Sequence, residues 1–166
     1  MKNLPKWAAI TALVLTAAVG GTTAASAGTA SHQKADGKIV VGDDTCTWTN
    51  AATSANPPGT VTIDRTTINK PGGNLSCSGG LSATLNNSPV FTFDDAAGTA
   101  TADVIDITGR QGFVSCRYKA TNITWDRDGT TRNYVNRPFT APRISGGSLC
   151  PGTVNADAGD ASVLFH

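Results

Sequence analysis

Acid–base and nucleophilic chemistry near neutral pH most often uses histidine, and this 166-residue chain has two, His32 and His166. His32 sits in a small, polar stretch and His166 is the final residue. Neither position is one where packing would hold an imidazole within reach of a nucleophile. A Ser-His-Asp or Cys-His catalyst is therefore not expected. The same scarcity leaves no zinc ligand set, and no cofactor motif is present. Carboxylate pairs remain: the chain carries twelve Asp and no Glu. Glycoside hydrolysis would need one acid of raised pKa beside one ionised partner. Asp43-Asp44, Asp94-Asp95 and Asp126-Arg127-Asp128-Gly129 lie in turn contexts, where Asp bonds its own backbone. Asp103 and Asp106 are the strand candidates, and their facing is ambiguous. Asp126-x-Asp128-Gly129 also resembles the start of a calcium loop, but Arg137 stands at position twelve, where a bidentate acid is needed. Asn155-x-Asp157-x-x-Asp160 is a second oxygen-rich turn. Solvated turns account for both, and calcium at either stays open.

Charge is uneven along the chain. Residues 36–106 hold eight Asp against Lys38, Arg65 and Lys70, whereas residues 110–143 hold seven cations against Asp126 and Asp128. If Arg117, Arg132, Arg137 and Arg143 converge on one face, they would grip an anionic polymer bidentately. The competing reading pairs the acidic first half with the basic second half across neighbouring strands. Trp48 and Trp125 could be flat platforms for sugars, but core packing is the safer expectation for both, Trp48 beside the disulfide cysteine Cys46.

Positioning these residues falls to strands. Thr and Val favour pleated backbone, and Gly, Asn and Asp favour turns. Strand-like segments recur every 8–12 residues from Lys38 onward, with no sustained helical stripe. Cys46 and Trp48 share a face, as do Val114, Cys116 and Tyr118, and Ile123 and Trp125. In residues 99–107 the inward face changes parity between Val104 and Ile105, and a bulge is expected there. Lys2 and Lys6, the apolar run Trp7 to Val19 and the small residues Ala25-Ser26-Ala27 spell a secretory signal peptide over 1–27. The run is shorter than the roughly 20 residues that cross a bilayer. Residues 28–37 then read as a flexible arm and 38–166 as a single domain.

Export implies an oxidising compartment, so Cys46, Cys77, Cys116 and Cys150 read as two disulfides. Cys46–Cys77 and Cys116–Cys150 are favoured because each closes a local strand pair. The fold expected is all-β, an immunoglobulin-like antiparallel β-sandwich with two disulfides. Formal charge is +1, or −1 without Lys2 and Lys6, and no basic excess points to nucleic acid.

Asn74-Leu-Ser-Cys77, Gly112-Phe-Val-Ser-Cys116-Arg-Tyr118, Gly147-Ser-Leu-Cys150-Pro151 and Ser162-Val-Leu-Phe-His166 resemble segments of small secreted four-cysteine β-domain proteins of Gram-positive bacteria. The resemblance implies a β fold and export and carries no catalytic motif. The expectation is a secreted or cell-surface monomer without enzymatic activity and without a membrane span. It would recognise an envelope or extracellular partner, either an anionic polymer or a protein. Two alternatives remain: a proteinase inhibitor with a rigid loop beside Cys150-Pro151, and an Asp-dependent enzyme acting on polysaccharide.

Overall fold

Alternating Thr, Ala, Val and Ile stiffen χ1 and suit a pleated surface. Twelve strands form in the computed structural model, which describes residues 33–69 and 72–166. They are β1 (Lys34–Val41), β2 (Asp44–Ala52), β3 (Val61–Thr62), β4 (Asn74–Cys77), β5 (Leu81–Leu85), β6 (Val90–Asp94), β7 (Thr99–Gln111), β8 (Val114–Arg127), β9 (Asn133–Asn136), β10 (Phe139–Gly146), β11 (Thr153–Ala156) and β12 (Ala161–Phe165). One 3₁₀ turn, Arg65–Thr67, is capped by Asp64, whose carboxylate accepts from the Thr66 amide at 2.9 Å. The Thr66 hydroxyl, which donates to the same carboxylate, and then that amide bond hold the Asp64 carboxyl below its ordinary pKa.

All strand pairs are antiparallel. β8, β9, β12, β1, β2, β4, β5 and β7 follow one another in that order, and β7 pairs back onto β8. Eight strands thus close a ring. The all-β expectation and both disulfides are found, but the pairing is not that of the expected immunoglobulin-like sandwich, whose two sheets would stay separate. The reason lies in the β7–β8 hairpin. β7 pairs with β6 over Thr99–Asp94 to Ala102–Phe91 and with β5 from Ile107 to Gln111. β8 pairs with β10 near Cys116 and Tyr118 and with β9 from Trp125 to Arg127. Strands this long change neighbours along their length and carry the sheet around until it meets itself. β12 makes the other closure, with β1 on one side and β9 on the other.

The expected parity switch in β7 is present and takes a different form. Ala100 and Ala102 are buried, and further on Ile105 and Ile107 pack against the core. The register with β8 is unbroken, Ala102 facing Ile123 and Val104 facing Thr121, so neither strand gains a residue. Both strands turn over together beside Asn122, which adopts φ 53°. Asn tolerates that left-handed conformation better than most residues. On β8 the inward set accordingly passes from Tyr118 and Ala120 to Ile123 and Trp125.

Both favoured disulfides form: Cys46 stands directly opposite Cys77 on β2 and β4, and Cys116 ties β8 to Cys150 in the loop after β10. β1 starts at Lys34, so residues 34–37, expected in the arm, belong to a strand. Lys34 and His166 exchange backbone hydrogen bonds of 2.8 and 2.9 Å. Gly37 explains part of this: a Cβ there would lie 1.9 Å from Trp48 Cζ2, so only glycine lets the indole cross the strand. The expected signal peptide, residues 28–32 of the arm and His32 lie outside the described residues. Among the described residues no helix is long and apolar enough to cross a membrane.

At the end remote from the β7–β8 turn, Phe91, Phe93, Trp125, Tyr134 and Phe165 meet edge to face, with centroids 5.0 to 6.1 Å apart. Such contacts suit the aromatic quadrupole. This cluster is the floor of the barrel.

Candidate functional site

Above the aromatic floor the inward positions become small. Ala83 on β5, Gly109 on β7, Ala120 on β8, Ala141 on β10 and Ala161 on β12 all face the interior. Four strands of the eight-stranded ring, with β10 beside it, thus present a methyl group or less and cannot fill the interior. They leave a cavity of about 540 Å³, with Phe91, Trp125 and Val163 below and Ile39, Leu81, Ile107, Tyr118 and Phe139 on the walls. An eight-stranded barrel is wide enough for side chains or for one small ligand. This volume falls in the range of small-molecule pockets.

The cavity reaches the surface through a seam. β12 pairs β1 only as far as Ile39, and β11 pairs only β10. Val40, Val41 and Gly42 line one side of this gap, and Val154, Asn155, Ala156 and Asp157 line the other. Val41 is exposed. Asp157 and Asp160 stand at the rim, while no Lys, Arg or His lines the cavity. Trp48 and Trp125 both line the cavity, 6% and 3% exposed, and neither buried indole N–H has an acceptor.

Core packing, the safer expectation for the two tryptophans, is thus where they sit. The arginines do not gather. Arg117 donates from Nε and Nη2 to the Asp106 carboxylate, both at 2.8 Å. Asp106 is 6% exposed, also accepts from Asn86 at 2.9 Å, and is held below its usual pKa chiefly by the Arg117 bonds. Arg137 grips Asp126 through Nε at 2.9 Å and Nη2 at 2.7 Å, which likewise lowers the Asp126 pKa. Arg143 donates to the carbonyls of Gly147 and Cys150. Arg132 is exposed in the β8–β9 turn. Arg117 and Asp126 are nine residues apart on β8, so the Arg117/Arg143 and Arg132/Arg137 pairs are separated by about 30 Å of strand. Arg127 joins the pattern, donating to Asp95 at 2.9 Å. Asp106–Arg117 and Asp95–Arg127 join the acidic half to the basic half, whereas Asp126–Arg137 lies within the basic half.

These contacts also occupy the aspartates. Asp103 is exposed and accepts from the Val90 amide at 2.8 Å. In the calcium-like loop, Arg137 fills position twelve and neutralises position one, Asp126. In the second turn, Asp160 accepts from the Asp157 amide at 2.7 Å and Asn155 accepts from Thr140 at 2.8 Å. No group of three His, Cys or Asp side chains is arranged to hold a metal among the described residues. His166 Nε2 lies 3.3 Å from Asp36 on the surface.

The cavity was missed because Ile39, Leu81, Ile107 and Tyr118 read as ordinary core positions. The available signal was the small inward residue on strand after strand, Ala83, Gly109, Ala120, Ala141 and Ala161.

The fold and site define an eight-stranded antiparallel barrel with an internal apolar cavity open at a lateral seam. No family model, curated protein or solved structure matches the chain.

Proposed function

We propose that this chain is a non-catalytic binding protein that encloses one small apolar molecule in its barrel. The cavity of about 540 Å³ is the observation that carries this reading, because apolar concave sites with a few polar groups are the usual form of small-molecule sites. Recognition then belongs to the interior, since Arg117, Arg137 and Arg143 already satisfy internal partners. Two disulfides agree with an extracellular location. On the residues that carry the resemblance, we place the chain with the secreted four-cysteine β-domain proteins of Gram-positive bacteria. The inhibitor alternative is weaker: the Cys150 amide bonds the Gly147 carbonyl at 3.0 Å, which puts Leu149 in a tight turn instead of an extended, substrate-like segment. A polysaccharide enzyme would need a free acid pair, and Asp106 is engaged by Arg117 and Asn86.

Titration with the uncharged dye N-phenyl-1-naphthylamine tests the reading. The expected result is a saturable fluorescence rise with one site per chain. Ala120→Phe, which projects a ring into the cavity, should abolish it while far-ultraviolet dichroism and the urea midpoint show a folded protein. A non-saturable signal, or wild-type binding by folded Ala120→Phe, would contradict it.

A further inference from the structure

Apolar side chains scattered singly over a surface need no explanation, but a gathering of them marks a contact site. Among the described residues five large apolar side chains are exposed: Val41, Phe113, Ile144, Leu149 and Leu164. Phe113, at 92%, and Leu149, at 67%, are the most exposed of the five. Phe113 stands at the tip of the β7–β8 hairpin, where Gly112 at φ 57° allows a two-residue turn between Gln111 and Val114. Leu149 projects from the neighbouring loop, which the Cys116–Cys150 disulfide and the pairing of Gly146 with Cys116 fasten to β8. Cys116 follows Phe113 by three residues, about 10 Å of strand. Ile144 lies at the register shift between Arg143 and Ser145, against the same stretch of β8. Three of the five therefore share one corner of the barrel. Arg143 donates to the Gly147 and Cys150 carbonyls, and the Cys150 amide bonds Gly147, so Leu149 is held outward on a braced turn.

The charge around this corner has one sign. Residues 107–125 hold Arg110, Arg117 and Lys119 and no acid, and residues 138–156 hold Arg143 and no acid. Asp106 matches Arg117, but among the described residues Arg110, Lys119 and Arg143 form no ion pair. Arg110, opposite Ser115, and Arg143, opposite Tyr118, flank the apolar tips. We infer that this corner docks on the surface of an anionic lipid bilayer, with Phe113 and Leu149 entering the interface and the cations meeting the headgroups. Apolar anchors combined with cations are the two signals that peripheral attachment needs, and aromatic rings favour that depth. The tips are convex and stand on separate loops, which suits a fluid layer that closes around each one. A protein partner is met across a continuous, closely packed patch. Asp43 and Asp44, in and beside the β1–β2 turn at this end, fix the tilt, because that side stays in water. The inference stands apart from the cavity reading, and its test uses no cavity ligand.

Chain 28–166, which holds all twelve strands and both disulfides, serves for the test, so that the apolar run Trp7 to Val19 cannot itself seek lipid. Co-sedimentation with vesicles of phosphatidylcholine and phosphatidylglycerol at 7:3, at about 20 mM salt where screening is weak, should show saturable binding. Pure phosphatidylcholine vesicles, or about 0.5 M salt, should weaken it at least tenfold, as the loss of two or more cation contacts implies. Phe113→Ser should weaken binding about tenfold, the low end for burying such a ring. Leu149→Ser should weaken it severalfold, and Arg110→Gln about fivefold. Leu164→Thr, which removes an exposed apolar side chain from β12, should bind as the wild type does. Far-ultraviolet dichroism and the urea midpoint check that each variant is folded. Absence of binding to the anionic vesicles, or equal binding by wild type and folded Phe113→Ser, would overturn the inference. So would a dimer in sedimentation equilibrium that Phe113→Ser dissociates while vesicles are ignored, because the corner would then join two copies of the chain.

Discussion

Adding one methyl group at Gly37 tests how the cavity wall is built. A Cβ there would lie 1.9 Å from Trp48 Cζ2 and 2.1 Å from Cη2, where ordinary contact begins at 3.4 Å. The indole or the strand must therefore give by about 1.5 Å, the difference between those distances. Overpacking of this kind costs about 1–3 kcal/mol. Restriction of the unfolded chain by alanine returns about 0.4–1 kcal/mol. Gly37→Ala should then lose about 1.3 kcal/mol net, which lowers the urea midpoint by about 0.6 M at a slope of about 2 kcal/mol/M. The clash belongs to one pair, so a double-mutant cycle isolates it. In a Trp48→Leu background the same methyl group should be neutral or slightly stabilising. An unchanged midpoint for Gly37→Ala, or an equal loss in both backgrounds, would refute the packing of Trp48 over the β1 backbone.

Three further outcomes follow from the staples and the ion pairs. Replacing both Cys46 and Cys77 by alanine opens a loop of sequence separation 31 and should cost about 3–4 kcal/mol by the chain-entropy relation, read from equilibrium unfolding. Asp106 titrates lower in the folded protein than in the unfolded chain, so its stabilisation is fully present above the ordinary carboxylate value of 3.8 and is lost as pH falls below it through the folded pKa. Asp106→Asn should accordingly show a flatter stability profile across the acid limb, and an unchanged slope there would count against the Arg117 pairing. Arg137→Ala, which breaks an exposed pair, should leave the urea midpoint within experimental error.

Much of the local structure was legible in the residues. Alternation placed Cys46 with Trp48 and Ile123 with Trp125, and it located the parity change in β7 to within a residue or two. Cysteine spacing favoured the pairs that form. What stayed hidden was non-local. That β8 pairs β10 at one end and β9 at the other depends on curvature accumulated over a long hairpin, which apolar alternation does not encode. The strand spacing of a sandwich and of a closed ring is the same. Lys34–Gly37 looked like a polar arm because Lys34, Asp36 and Gly37 lack apolar character, yet Ala35 and Gly37 are buried by the last strand and by Trp48. The arginine stretch showed its charge and concealed its partners, since Asp106 and Asp126 are strand neighbours only once β7, β8 and β9 have paired.

The union of β1 with β12 makes closure of the ring depend on two segments far apart in sequence. Ala35 meets Phe165 and Ile39 meets Ala161, so the first described strand closes on the last described one. Without residues 161–165 the sheet would keep two raw edges, along β1 and β9. Such edges invite pairing with another molecule, and any change that hinders residues 161–165 would leave the vessel unsealed.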